Sequence, residues 1–240
     1  MDLEPRLHTV VAPAAALGAV LVLHGGGARR GASRVSPAQL SVLRMIPIAR
    51  LAARIGRGEL AVFRLLNSRR GWDASHTPVA DAHWALEQIA ARYGRVLPTC
   101  LIGHSLGGRA AVLSAARPEV RSVAALAAWV YPDDAPDDVA DRSFLFVHGS
   151  ADRIASPERS AALARRLADR NDVSYVTVKG GRHAMLSGGL PVDRLAAEFA
   201  SVTLLGGTFS PRVAQAFAGE LWASGPGFDA RERASPPAGG

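Results

Sequence analysis

The chain has 240 residues, 48% of them apolar and 20% charged; that is enough for one α/β domain with a sizeable core and too few for two enzymatic domains. This composition excludes a disordered chain, and no apolar run reaches the roughly 20 residues of a membrane-spanning helix. The formal charge of +7 rests on arginines scattered as singles and pairs, so without a basic block or binding motif nucleic acid is not an expected partner.

In chain order, the opening MDLEPRLH carries acids and a proline where a secretory leader would carry basic and apolar segments, and the expected location is cytoplasmic. Residues 19–24 (AVLVLH) predict the first central strand. Ser36, Pro37 and Gln39 predict a helix start, with the helix running to about Ile55, kinked at Pro47 and ended by Gly56. A strand over 60–66 precedes a helix opened by Pro78. Its stripe of Val79, Ala82, Leu86, Ile89 and Tyr93 follows the helical period, and Gly94 ends it.

Strand 97–103 runs into a helix over 105–116 whose Ala, Val and Leu content predicts burial on most sides. Strands follow over 122–130 and 143–148, then a helix from Ser156 and Pro157 to about Arg170 and a strand over 173–178. A helix from Val192 sets Leu195, Ala196, Phe199 and Val202 on one face. Strand-length runs alternating with helices predict an α/β domain over 1–206, a mostly parallel sheet with helices on both faces. Residues 207–240 read as a C-terminal extension, an amphipathic helix over 210–223 and then a disordered Gly, Pro and Ser-rich tail. The single Cys100 lies in an apolar run, the setting of a core residue; it can form no internal disulfide, and no ligand spacing predicts a metal or another cofactor.

The stretch TCLIGHSLGGRAAV, residues 99–112, raises the functional question. In a strand, sharp turn and helix arrangement the central residue sits at a strained backbone position, and the residues two before and two after it come close together. Gly103 and Gly107 supply the small side chains this needs, and Ser105 would stand at the carboxyl edge of the sheet. GHSLG is thus a nucleophile elbow of the G-x-S-x-G type. A second glycine cluster, HGGG at 24–27, directly follows the first central strand, where backbone amides can approach a reacting carbonyl oxygen.

On these residues the chain resembles the α/β-hydrolase superfamily over about 19–206. The resemblance implies an α/β-hydrolase fold whose nucleophile, acid and histidine follow in that order, each on a loop past a strand's carboxyl end. Asp152 in VHGSADRIASP and His183 in KGGRHAML occupy those places. His183 would take the Ser105 proton and Asp152 would hold the imidazole and its charge. Asp133 and Asp134 are a rival acid after the preceding strand, in a stretch that otherwise reads as a solvated acidic turn. By resemblance to HGGG-type esterases, the oxyanion hole is formed by the amides of Gly25 or Gly26 with that of Leu106, and His24 anchors the loop. His104, beside the nucleophile, and Trp72, in RRGW after the second strand, are the candidate substrate contacts.

Only about a dozen residues separate strands 122–130 and 143–148, too few for a cap domain. An open site follows, walled by 28–35, by the 67–77 loop and by the C-terminal helix. Lidless members resemble small carboxylesterases, thioesterases or the dienelactone-hydrolase-like group, although Ser105 stands where dienelactone hydrolases use cysteine. The expected activity is cleavage of small or medium carboxylic esters through an acyl-enzyme. Thioester or short amide cleavage is the alternative on the same machinery, and small-ligand binding without catalysis the alternative outside it.

Overall fold

The computed structural model describes residues 3–27, 34–136, 138–185, 191–217 and 221–224, with Phe217 and 221–224 described as backbone. The elements are β1 (Arg6–Val11), β2 (Gly18–Leu23), α1 (Leu40–Leu43), α2 (Ile46–Ile55), β3 (Leu60–Leu66), α3 (Thr77–Tyr93), β4 (Thr99–His104), α4 (Leu106–Leu113), β5 (Val120–Leu126), β6 (Ser143–Gly149), α5 (Pro157–Leu167), β7 (Asp172–Val178), α6 (Val192–Leu205), α7 (Pro211–Phe217) and β8 (Leu221–Ser224). They build one sheet in the order β1-β3-β2-β4-β5-β6-β7-β8. The six inner strands are parallel, and the edge strands β1 and β8 are antiparallel to their neighbours.

Alternation along the inner strands feeds two cores. Leu21 and Leu23 of β2 join Phe63, Phe144 and Phe146 under α3, α4 and α5, while Val20 and Val22 join Ile102 and Val176 under α2 and α6. Both faces of β2 and β4 are fully covered, the reason these strands read as unbroken apolar runs. Cys100 is one of these core residues, and burial pushes its thiol up to about 12.

Four local expectations change. The helix expected over 36–55 is two helices, α1 and α2, with Pro47 in the first turn of α2, where its missing N–H costs nothing. Ser36 caps a turn instead, its Oγ accepting from the Ala38 N–H at 3.3 Å. The strand expected to reach residue 130 ends at Leu126, because Ala127 takes a positive φ and Trp129 donates its N–H to the Ser105 carbonyl. Of the helix expected over 210–223, α7 covers Pro211–Phe217, and Leu221–Ser224 is a strand paired with β7.

α7 packs through Val213 and Ala216 on the core under α2 and α6 and so covers a sheet face. Among the described residues between β5 and β6 there is no cap domain, only a single 3-10 turn at Pro132–Asp134. The wall expected at 28–35 lies outside the described residues over 28–33, as does the tail from 225 to 240.

Candidate active site

The chain leaves β4, turns at Ser105 with φ 55° and ψ −118°, and enters α4. Two glycines make this turn possible. A β-carbon on Gly103 would overlap the Gly107 carbonyl, and one on Gly107 would come within 2.5 Å of the Leu23 carbonyl at the end of β2. The turn is pinned further by the Ser105 N–H, which donates to the Leu126 carbonyl at 2.9 Å.

Ser105, Asp152 and His183 meet at the carboxyl edge of the sheet. His183 Nε2 lies 2.9 Å from Ser105 Oγ, and His183 Nδ1 lies 2.8 Å from Asp152 Oδ2. With Nδ1–H donating to the carboxylate, Nε2 is left to accept the serine proton. The acid and histidine loops cross closely: a β-carbon on Gly149 would strike the Gly181 carbonyl, and Ala151 N–H donates to that same carbonyl at 2.9 Å. Asp152 is buried, which pushes its carboxyl up. The bonds from His183 and from the Ile154 and Ala155 N–H groups, at 2.8 and 3.0 Å on Oδ1, outweigh burial and hold it below the usual carboxylate range.

Gly25 stands beside the nucleophile, 3.3 Å separating the place of its β-carbon from Ser105 Cβ. Among the described residues, no group accepts from the N–H of Gly25, Gly26 or Leu106. His24 is buried, its Nε2 accepting from the Asn67 N–H at 3.1 Å and its Nδ1–H directed to the Gly25 carbonyl. Burial lowers its pKa, so the ring is neutral and able to accept. The glycine segment is thereby tied to the loop after β3. Ser68 of that loop is held in turn by the buried carboxylate of Asp81 through its N–H and hydroxyl.

No family model matches the sequence, and no curated protein matches it. Solved structures do. The esterase domain of a Rhodothermus marinus protein aligns with a TM-score of 0.55 over 81% of this chain and 89% of its own, at 19% identity. Est1E from Butyrivibrio proteoclasticus with ferulic acid bound aligns with a TM-score of 0.60 over 83% and 94%, at 17% identity. An Agrobacterium tumefaciens protein of unknown function, classed with the α/β hydrolases, aligns with a TM-score of 0.59 over 82% and 88%, at 17% identity. The chain adopts the α/β-hydrolase fold.

Around the three central side chains, this α/β-hydrolase fold carries a ring of supports that the sequence does not announce. His104, expected to touch substrate, is instead buried, and its Nε2–H donates to the His183 carbonyl at 2.8 Å. Burial lowers its pKa to about 4. Arg44, at the end of α1 and only 7% exposed in its side chain, donates Nε–H to the Ala184 carbonyl at 2.9 Å and Nη2–H to Asp193 at 2.7 Å. Two side chains from distant elements thus grip the histidine loop by successive backbone carbonyls.

His148, at the end of β6, brings a second imidazole to the acid, its Nε2 being 3.2 Å from Asp152 Oδ2. His148 is buried and its pKa lowered, so it acts as a neutral donor. No spacing rule relates Arg44 or His148 to the GHSLG motif, and only the fold brings them to it.

On the open side, Arg109 of α4 lies against Trp72, Trp129 and Tyr131, its guanidinium carbon 4.2, 5.2 and 4.9 Å from the three ring centres. Asp134 pairs with Arg109 at 2.8 Å and accepts from the Tyr131 N–H. This buried carboxylate is therefore a structural partner, neither a solvated turn residue nor in contact with His183, while Asp133 is exposed and faces Arg166. Trp72 belongs to this aromatic wall. Among the described residues, no group of three or more His, Cys, Asp or Glu side chains is arranged as a metal site. Nor is any described helix long and apolar enough to cross a membrane.

Proposed function

We propose that this chain is a serine hydrolase of small or medium carboxylic esters, with Ser105 as nucleophile, His183 as general base and acid, and Asp152 as the residue that orients the imidazole. The observation that supports it is the continuous relay from Ser105 Oγ through the His183 ring to Asp152, at 2.9 and 2.8 Å. The serine oxygen attacks the ester carbonyl carbon as His183 Nε2 takes its proton. The carbonyl oxygen becomes an oxyanion held by the Leu106 amide and that of Gly25 or Gly26, each donor contributing on the order of a hundred- to a thousand-fold in rate.

Collapse of the tetrahedral adduct breaks the bond to the alcohol, which leaves with the proton from Nε2. Water then gives a proton to His183 and attacks the acyl-serine carbon. The second collapse returns the proton to Ser105 and releases the acid. Acyl thioesters and short amides would pass through the same steps. One neighbour of this fold is named as an esterase domain, which agrees with the ester reading. A serine nucleophile and the lack of a cap favour a small carboxylesterase over a dienelactone hydrolase.

The test is a panel of 4-nitrophenyl esters of graded acyl length with the wild-type protein and Ser105→Ala. Turnover should fall by up to about a million-fold in the variant, and a fluorophosphonate should label wild type at Ser105. Undiminished turnover by the Ser105→Ala protein would reject the assignment.

A further inference from the structure

A groove of about 360 Å³ lies between Trp129, three residues past the end of β5, and the acid loop running into α5, and Asp152 forms part of its lining. The Asp152 side chain is unexposed, and neither Ser105 nor His183 is in the lining; the groove's link to the reacting groups is Trp129, whose N–H donates to the Ser105 carbonyl at 3.1 Å. Its apolar lip is Ile154, 70% exposed, opposite Trp129. Its cationic lining is Arg153 and Arg159.

The balance of charge in this groove decides what fits it. Among the described residues, neither Arg153 nor Arg159 has a carboxylate partner. Arg159 lies 4.7 Å over the Tyr131 ring, which orients its guanidinium without neutralising it. The neighbouring carboxylates are engaged elsewhere: Asp134 with Arg109, Asp133 with Arg166. Glu158, the acid within the groove, accepts from Ser156 Oγ at 2.7 Å in the first turn of α5, where the helix N–H groups favour negative charge. Asp152 is shut off behind its four hydrogen bonds, with no side-chain exposure.

Resting on the hydrolase reading, we propose that this groove is a specificity subsite for an oxyanion, so that the substrates are esters bearing a carboxylate on a short apolar chain. The apolar chain would lie along Trp129 and Ile154, and its charged end would meet Arg153 and Arg159, whose planar guanidinium groups suit a two-oxygen partner. A groove with an apolar wall and a few placed charges is the usual way a site fixes orientation.

Two matched pairs test this and distinguish the two ends of the ester. The mono-4-nitrophenyl ester of adipate against 4-nitrophenyl hexanoate puts the charge on the acyl side. The butyryl ester of 4-hydroxybenzoate against phenyl butyrate puts it on the leaving side. In one pair the charged ester should be favoured at least tenfold in kcat/KM, mostly through KM. Arg153→Gln/Arg159→Gln should bring that ratio to about one while leaving the neutral ester within twofold.

A ratio near one for both pairs in wild type, or a preference that survives in the double variant, overturns the subsite. Should no ester be turned over and no fluorophosphonate bind, the hydrolase reading fails separately. Calorimetric titration of adipate into wild type then decides the groove: saturable binding lost in the double variant upholds it, and no binding overturns it.

Discussion

The nucleophile and the histidine are held in different ways, although their side chains touch. Ser105 is fixed by its own backbone: a positive φ, a close glycine crossing and a hydrogen bond to β5 leave the turn no alternative path. His183 sits on a loop whose position depends on side chains arriving from elsewhere, His104 from β4 and Arg44 from α1. The acid loop is intermediate, tied by backbone to Gly181 and by His148 at the carboxylate. A site of this kind has one half that only a change of backbone can move and another half that side-chain changes can loosen by degrees.

The comparison breaks most severely at the crossing. Gly103→Ala would press a methyl group into the Gly107 carbonyl, and neither strand nor helix can retreat. The expected result is loss of folded protein, or destabilisation exceeding about 3 kcal/mol in chemical denaturation. A folded, active Gly103→Ala protein would mean that the elbow is looser than its geometry implies. On the other side, His104→Phe should leave folded protein that a fluorophosphonate still labels, slowly, with kcat/KM for an ester down about a hundredfold, as misplacement of a catalytic group by about 1 Å can cost. Arg44→Met should lower kcat by about tenfold, with KM little changed, and Arg44→Lys should restore part of it by making one of the two bonds. Equal losses from the Lys and Met variants would show that Arg44 supports the fold generally and not the histidine loop.

The buried histidines predict how the site responds to acid. His24, His104 and His148 are neutral in the fold, with pKa values lowered by burial. The unfolded chain therefore binds more protons below the ordinary histidine value near 6.5, and stability falls as pH drops from there toward the folded pKa. His104, at about 4, accounts for about 2 kcal/mol of the fall between pH 7 and pH 5. Urea midpoints at the two pH values should differ less in His104→Asn than in wild type. A smaller effect is expected at His148. Without its N–H the Asp152 carboxylate loses one of its donors, so His148→Phe should lower kcat/KM for an ester by less than His104→Phe does. An unchanged kcat/KM would reduce His148 to packing.

Much of this architecture is legible in local pattern. Inner strands such as 19–24 and 97–103 are buried on both faces, so their apolar runs cannot be mistaken for helix turns or surface. The glycines around Ser105 reflect a local backbone requirement. Edge elements were harder to read: Arg6–Val11 alternates polar and apolar residues on a half-exposed edge, and Leu221–Ser224 pairs with β7 from outside the domain limit that periodicity suggests. His104 illustrates the same limit at the site, since its position beside Ser105 was plain but its orientation depends on a carbonyl 79 residues away.

The sequence by itself determined the inner strands, most of the helices between them and the turn at Ser105, because each follows from neighbours a few residues apart, and its resemblance to a known family supplied the chain order of Ser105, Asp152 and His183. Only the tertiary structure decided what grips His183, what shares Asp152 and which arginines near the acid loop lack a carboxylate partner among the described residues. Those outcomes depend on where the folded chain brings each side chain, over separations of four residues for His148 and Asp152, 79 for His104 and His183 and 140 for Arg44 and Ala184, and no local periodicity carries that information.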